Sequence, residues 1–554
     1  MKEKIRRKLF AGLLLLVFLP VLVVLSSAGS RNFEITRNLD VFTTLFRELV
    51  VNYVDDINAS EMMKSGIDGM LQNLDPYTTF IPESDIEDVR FMTTGQYGGI
   101  GALIQRRGAY VMIAEPHQGF PAHKAGLMPG DVILEINGQS VKSRNEDEVR
   151  HLLMGQPGTT LSLLIDRYGA DAPLLKTLTR EVVKIDNIPY SGMLNDHTAY
   201  IKLTGFTQHA GREVREALQK LRSENQVDGL ILDLRGNGGG LMHEAVNIAN
   251  LFIEKGQLIV NTRGRLEDRS TTHRTLNNPM DLEIPLVVLI DPGTASASEI
   301  VAGAIQDYDR GVLVGQRSFG KGLVQNVIPL SYNTQLKVTV AQYLIPSGRS
   351  IQAINYAERR ADGSVSMIPD SLKVAHNTSG GRVVYDGGGI DPDIVVELPT
   401  MSMVTRSLLL QHMIFDFATH FSRQHESIPS PELFSITDQI YDEFTGYVSD
   451  KEFSYETESE RLLNELRRVS RSERYYGATK KEFDQLAESF KKEKEQELVT
   501  FRKEIESFLR QEIVGRYYYQ KGRVVASLSD DPDIRHALQV LTDAEMYNRI
   551  LTAR

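Results

Sequence analysis

The sequence predicts a multidomain α/β protein: an N-terminal helical segment, a β-rich inserted module, an α/β core and a helical C-terminal domain. Its 554 residues exceed what one hydrophobic core holds. The patterning also changes character, to short β-type runs near residue 90 and to alternating strands and helices after 183. Beyond about 400 it becomes highly charged and helical. The composition, 41% hydrophobic and 24% charged, is that of a globular chain. A net charge of −11 argues against a general nucleic-acid binder. Cysteine is absent, which excludes disulfides, thiolate metal sites, a cysteine nucleophile and a lipidated N-terminal cysteine.

Residues 1–30 open with Lys2, Lys4, Arg6, Arg7 and Lys8. An uncharged apolar run from Leu9 to Leu25 follows, then the small residues Ser26, Ser27 and Ala28. This pattern reads as an export signal. An uncleaved single anchor is the alternative, although the run is slightly shorter than the ~20 residues a spanning helix needs. Either reading puts the bulk of the chain outside the cytoplasm, in the periplasm, and the second adds a membrane tether.

Residues 31–84 form the helical region, with Leu39, Phe42, Leu45, Phe46, Leu49 and Val50 at helical spacing. Leu74-Asp75-Pro76 marks its end as a turn. From 85 to 183, YGGIG (97–101) is a Gly-rich loop entering a strand, and AYVMIAEP and TTLSLLIDR are strands. Between them HKAGLMPGDVILEINGQSV carries a Pro-Gly turn, a strand and an Asn-Gly turn. Residues 125–141 resemble a PDZ domain. The resemblance implies that Tyr97, Gly98, Gly99, Ile100 and Gly101 form the loop whose N–H groups hold a peptide carboxylate, while the peptide adds as a strand. By itself YGGIG is only a Gly-rich turn.

Residues 184–398 are the α/β core. TAYIKL and GLILDL are strands, and 211–222 is a helix with Val214, Leu218 and Leu221 on one face. GLILDL runs into RGNGGG and a helix over about 241–252, and LVVLI runs into DPGTASASEI and another helix. These are two strand–loop–helix junctions. In 399–554, Leu498, Phe501, Ile505, Phe508, Leu509 and Ile513 mark one apolar stripe. That region reads as packing or docking structure without chemistry.

A helix starting inside TASASEI aims free N–H groups and a positive dipole end at its loop, which suits a nucleophile that generates an oxyanion. The competing reading is that Thr294 or Ser296 simply caps the helix. As base, His243 follows the other Gly-rich loop but has no evident Asp to orient it. Lys321 lies between Gly320 and Gly322 after another strand. Gly315-x4-Gly320-Lys321 matches most of a P-loop, but Gly322 stands where Ser or Thr must hold Mg²⁺. A lysine base near neutral pH needs about 4 kcal/mol of preference for the neutral amine. Phe319, Leu323 and Val324 are the apolar neighbours expected to provide it by desolvation. Gln325 is placed to orient the amine by a hydrogen bond.

GTASASEIVAGAIQDYDRGVLVGQRSFGKGLVQ resembles the carboxyl-terminal processing proteases, exported Ser–Lys peptidases of family S41. LDPYTTFI, the PDZ pattern, LDLRGNGGGL, TASASEI, FGKGLVQ, LIPSGRSIQ and GIDPDIVVE occur in the family's order between about 40 and 398. The resemblance implies a crotonase/ClpP-like α/β core with Ser296 as nucleophile, Lys321 as general base and Gln325 in support. It also implies an oxyanion hole from the Ala297 amide and a glycine amide, Gly239 or Gly240, from a loop reading GNGGG where relatives often carry NPGG or NSGG. Thr294 and Ser298 are then structural. The implied function is an exported serine endopeptidase that captures protein C-termini through its PDZ domain and passes through an acyl-enzyme. The alternative is a PDZ-based scaffold with an inactive core. No metal or other cofactor is implied, the partners are protein substrates rather than nucleic acid, and a homo-oligomer stays open.

Overall fold

A computed structural model describes residues 33–360, 364–397, 400–451 and 453–552, without the side chains of 357–359. The predicted signal or anchor at 1–30 lies outside them. No described helix is long and apolar enough to cross a membrane. The chain divides into two units, one ending at Phe80 and one beginning at Ile81.

The first unit holds a helix over 33–52 and a second at Ala59–Leu71, capped by the Asn58 side chain. Asp75 Oδ1 accepts from the Tyr77 and Thr78 N–H groups, which makes the turn that LDPYTT predicts. Leu39, Leu45 and Leu49 are exposed in this unit.

In the second unit, Ala102–Arg107, Tyr110–Pro116, Val132–Ile136, Thr160–Asp166 and Leu174–Thr179 form an antiparallel sheet in chain order, with the short sixth strand Gln139–Ser140 paired to Val132–Ile136. Asn137 and Gly138 both have positive φ, 53° and 76°, as the two-residue hairpin after Ile136 requires. Gln96–Gly99 pairs antiparallel with Glu181–Lys184, so the entering and leaving chains close the module on themselves.

The core sheet runs Tyr190–Met193, Thr198–Lys202, Gly229–Asp233, Leu286–Ile290, Val312–Gly315, Ile394–Val395, parallel after its first pair. Its strands are apolar on both faces. Leu230, Leu232, Leu286, Val288, Ile290 and Leu313 pack with helices Ala210–Glu224, Met242–Ala249 and Ala297–Asp307. The alternate residues Ile231, Val287, Leu289, Val312 and Val314 face the other way, against Leu528, Ile534, Ala537, Val540 and Tyr547 of the C-terminal helices. Continuous apolar strands need this double cover. At about 25 cal/mol per Å², it is the main favourable term of the core.

The remaining tail helices bury Phe417, Phe444, Ile505, Leu509 and Ile513 in a cluster of their own. Helix Arg502–Leu528 breaks at Tyr519, where φ is 54° and ψ −156°. There Tyr519 Oη and His123 Nε2 of the β-rich module lie 2.9 Å apart, and Arg523 pairs with its Glu115 at 2.9 Å.

Candidate active site

Two loop ends meet at the carboxyl edge of the core sheet, where a parallel α/β sheet opens its crevice. Strand Leu286–Ile290 leads through Asp291–Ala295 to helix Ala297–Asp307, with Ser296 as its N-cap. Ser296 has φ 58° and ψ −116°, which a residue with a Cβ holds only where its surroundings enforce it. The enforcement is visible on both sides. Thr294 Oγ1 donates to Leu234 O at 3.0 Å, and Ser298 Oγ donates to Asn237 O at 2.9 Å. Both side chains are fully buried, so these hydroxyls are tied to backbone while Ser296 is only half-buried.

Ser296, Ala297, Gly239, Gly240, Lys321 and Gln325 line a single cavity of about 570 Å³. Lys321 sits in the segment between strands Val312–Gly315 and Leu323–Pro329. A strand follows it and not a helix, so the P-loop geometry is absent here. Leu323 and Val324 line the cavity as expected, whereas Phe319 is 46% exposed and is not among its lining residues. The Phe319 N–H donates to Thr294 O at 2.9 Å, which ties this segment to the loop before Ser296. Gln325 Nε2 donates to Thr339 Oγ1 at 3.3 Å. His243 shares the cavity. It is largely exposed at the first turn of Met242–Ala249, with Glu244 Oε1 at 3.6 Å and, among the described residues, no Asp paired with it.

The Gly-rich loop is pressed against the serine. A Cβ on Gly239 (φ +96°) would lie 2.8 Å from Ser296 Cβ and 2.8 Å from Ala297 N. Only glycine fits there. The Gly239 N–H donates to Asn237 Oδ1 at 2.9 Å. Among the described residues, neither the Ala297 nor the Gly240 N–H has a backbone acceptor.

Sequence reasoning missed Glu299, which is fully buried and joins the two loops. One oxygen accepts from the Ser296 N–H at 2.8 Å and the Lys321 N–H at 2.9 Å. The other accepts from Ser318 Oγ at 2.6 Å and the Gly320 N–H at 2.7 Å. Burial pushes its carboxyl upward, against these four bonds. The signal was present as S-x-x-E at a helix start, the capping-box pattern. Tyr343 Oη also reaches both segments, its single hydrogen shared between Lys321 O and Ser296 O, the latter at 3.2 Å. No local pattern points to it.

The five residues of YGGIG do not form one loop. Tyr97–Gly99 is strand, paired to Val183–Glu181, and Ile100 and Gly101 turn the chain into Ala102–Arg107. Side chains are excluded at Gly98, whose Cβ would meet Gly155 O at 2.1 Å, and at Gly101 (φ +70°), where Phe120 Cβ is 2.4 Å away. Tyr97 and Ile100 line a cavity of about 370 Å³ between strand Ala102–Arg107 and helix Glu146–Leu153, with Ile104, His117, Arg150 and Leu153. Burial pushes the Tyr97 hydroxyl up to about 12. The strand is the edge of its sheet and carries free ladder positions, although the Arg106 N–H is already held by Glu146 Oε1 at 2.5 Å.

Three family models match: Peptidase family S41 over residues 197–357, PDZ domain over 112–167, and the C-terminal helical domain of a probable PDZ-protease over 404–541. The chain is 35% identical to a carboxy-terminal-processing protease of Bartonella bacilliformis, over 60% of this chain and 77% of that one. It is 32% identical to the carboxy-terminal processing protease CtpA of Bacillus subtilis, over 56% of this chain and 66% of that one. A solved photosystem II D1 C-terminal processing protease aligns at 28% identity and a TM-score of 0.35, over 65% of this chain and 88% of its own.

Proposed function

Since this chain belongs to peptidase family S41 and is a serine-type endopeptidase carrying a PDZ domain, we propose that it works by a Ser296–Lys321 dyad on proteins captured by their C-termini. Ser296 Oγ attacks the scissile carbonyl and the neutral Lys321 amine takes its proton. The oxyanion is met by the Ala297 N–H and a glycine N–H of the Gly-rich loop, which we assign to Gly240 because Asn237 occupies that of Gly239. The lysine returns its proton to the leaving amine, and water then hydrolyses the acyl-enzyme. Gln325 supports the lysine from the same cavity wall.

The observation that carries this reading is Glu299, one carboxylate bound to the backbones of both Ser296 and Lys321. The domains are assigned as 31–84 helical, 85–183 PDZ, 184–398 protease core of crotonase/ClpP-like type, and 399–554 helical. Tyr97–Gly101 forms the carboxylate-holding end of the peptide groove. The basic and apolar sequence of 1–30 supports export to the periplasm with this segment as signal or tether. The test is cleavage by purified variants together with a covalent serine probe. Ser296→Ala and Lys321→Ala each abolish cleavage, Ser298→Ala keeps it, and the probe labels Ser296 alone. Full activity in Lys321→Ala would remove the lysine base and return attention to His243.

A further inference from the structure

The Gly-rich loop is anchored near its start by two residues whose partners come from distant parts of the chain. Buried Asn237 ties it inward, its Nδ2 donating to Leu203 O at 2.8 Å and its carbonyl accepting from the Ala295 N–H at 3.0 Å. Two residues before it stands Arg235. Its Nε and Nη2 donate to Asp233 at 3.1 and 2.8 Å. Its Nη1 donates to Asp531 Oδ1 at 3.0 Å and Asp533 Oδ2 at 2.7 Å, and Nη2 lies 2.8 Å from Asp531 Oδ2. Asp531 is 296 residues downstream, the N-cap of helix Pro532–Thr542 in the helical tail. Lys202 Nζ completes the cluster, donating to Arg235 O at 2.9 Å and lying 3.1 Å from Asp233 Oδ1. Tyr200 Oη donates to Asp233 Oδ2 at 2.7 Å.

This cluster is nearly dry. The side chains of Arg235, Asp531, Asp533 and Asp233 are exposed by 16, 14, 4 and 1%. Burial opposes charge on Asp233, yet Arg235 and Lys202 hold its carboxyl well below the usual range. Such a cluster is a poor way to attach a tail, because its desolvation offsets most of its attraction. The tail is attached already, by Ile534, Ala537 and Val540 on the core sheet. What directional bonds supply that apolar contact does not is a fixed orientation. Here the oriented residue is the one that starts the loop Gly236–Gly240.

We propose that Asp531 and Asp533 are positioning residues for catalysis: through Arg235 they fix the start of the Gly-rich loop and so aim its glycine amide at the oxyanion formed on Ser296. This rests on the assignment of Ser296 and the loop amide made above. The helical tail thus contributes to the chemistry of a core from which it is separate in sequence.

The test uses the full chain with Asp531→Asn and Asp533→Ala combined. Asn still caps the helix, and the neighbouring exposed Asp530→Asn serves as control. A short quenched peptide that the wild type cleaves is the substrate. kcat falls about 10–100-fold, part of the ~10²–10³ that follows loss of a whole oxyanion donor, while KM stays within about twofold. A peptide aldehyde, whose adduct carries an oxyanion, loses affinity in parallel with kcat; the matching carboxamide, which forms no adduct, does not. Asp530→Asn changes nothing. A folded double variant with wild-type kcat and aldehyde affinity overturns the proposal. Should the pair fail to fold, Asp531→Asn alone gives a smaller loss in the same direction, and an unchanged kcat there overturns it equally. Ser296→Ala in the same assay separates the premises: if it cleaves normally the dyad fails and the latch with it, whereas an inactive Ser296→Ala beside a wild-type-like double variant refutes the latch alone.

Discussion

Replacing Glu299 with Gln should uncouple the serine and lysine segments while keeping the shape of the side chain. The carboxylate accepts four bonds between 2.6 and 2.9 Å, two at each oxygen. A glutamine keeps one oxygen and turns an NH₂ toward two donors, either the Ser296 and Lys321 amides or Ser318 and Gly320. Two bonds to a charged acceptor are lost, each worth about 1.5–3 kcal/mol. The neutral amide recovers part of this, because a buried charge no longer has to be desolvated. A net loss of about 3 kcal/mol lowers Tm by roughly 6–12 °C for a core of this size. Below the new Tm, kcat on a short peptide falls about 10–100-fold, because small displacements of reacting groups are that costly. Thermal unfolding and the labelling rate of Ser296 by a serine probe read the two effects separately. A Glu299→Gln protein with wild-type Tm and labelling rate would refute the account of Glu299 as the tie between the segments.

Activity on a short peptide should rise with pH between about 6 and 9, since the proposed Lys321 base works only when neutral. A flat profile with chemistry rate-limiting would count against the dyad. Gly99→Asp places a Cβ 2.7 Å from the Tyr97 ring, displacing it into the groove and adding a negative charge where we propose that a peptide carboxylate binds. Its KM for full-length protein substrates should rise about tenfold, the cost of ~1.4 kcal/mol, with short-peptide cleavage unchanged. Equal loss on both substrates would show that the groove acts on the protease and does not only hold the substrate.

Much of this molecule was legible in local pattern, because the signals concerned are local. Asn137-Gly138 demands positive φ at two successive residues, so it marks a hairpin wherever it falls. Val214, Leu218 and Leu221 recur with the helical period, and all three are buried. GLILDL and LVVLI are apolar without alternation, which already says that both faces of their strands are covered. What covers the second face was not legible: Ile534, Ala537 and Val540 carry an ordinary amphipathic pattern that names no partner.

The site divides in the same way. Residue type and motif order single out Ser296 and Lys321, and the small residues around them announce a crowded turn. Tertiary structure alone decided that one carboxylate, Glu299, serves both segments, that Asn237 engages Gly239 and leaves Gly240, and that Phe319 stays outside the lining of the cavity. It alone joined Arg235 to Asp531 and Asp533, 296 and 298 residues downstream. The physical reason is that capping, turns and periodicity are set by neighbours a few residues apart. An ion cluster or the cover of a sheet is chosen by which surfaces remain after those elements pack, and nothing in the local spacing of either partner specifies the other.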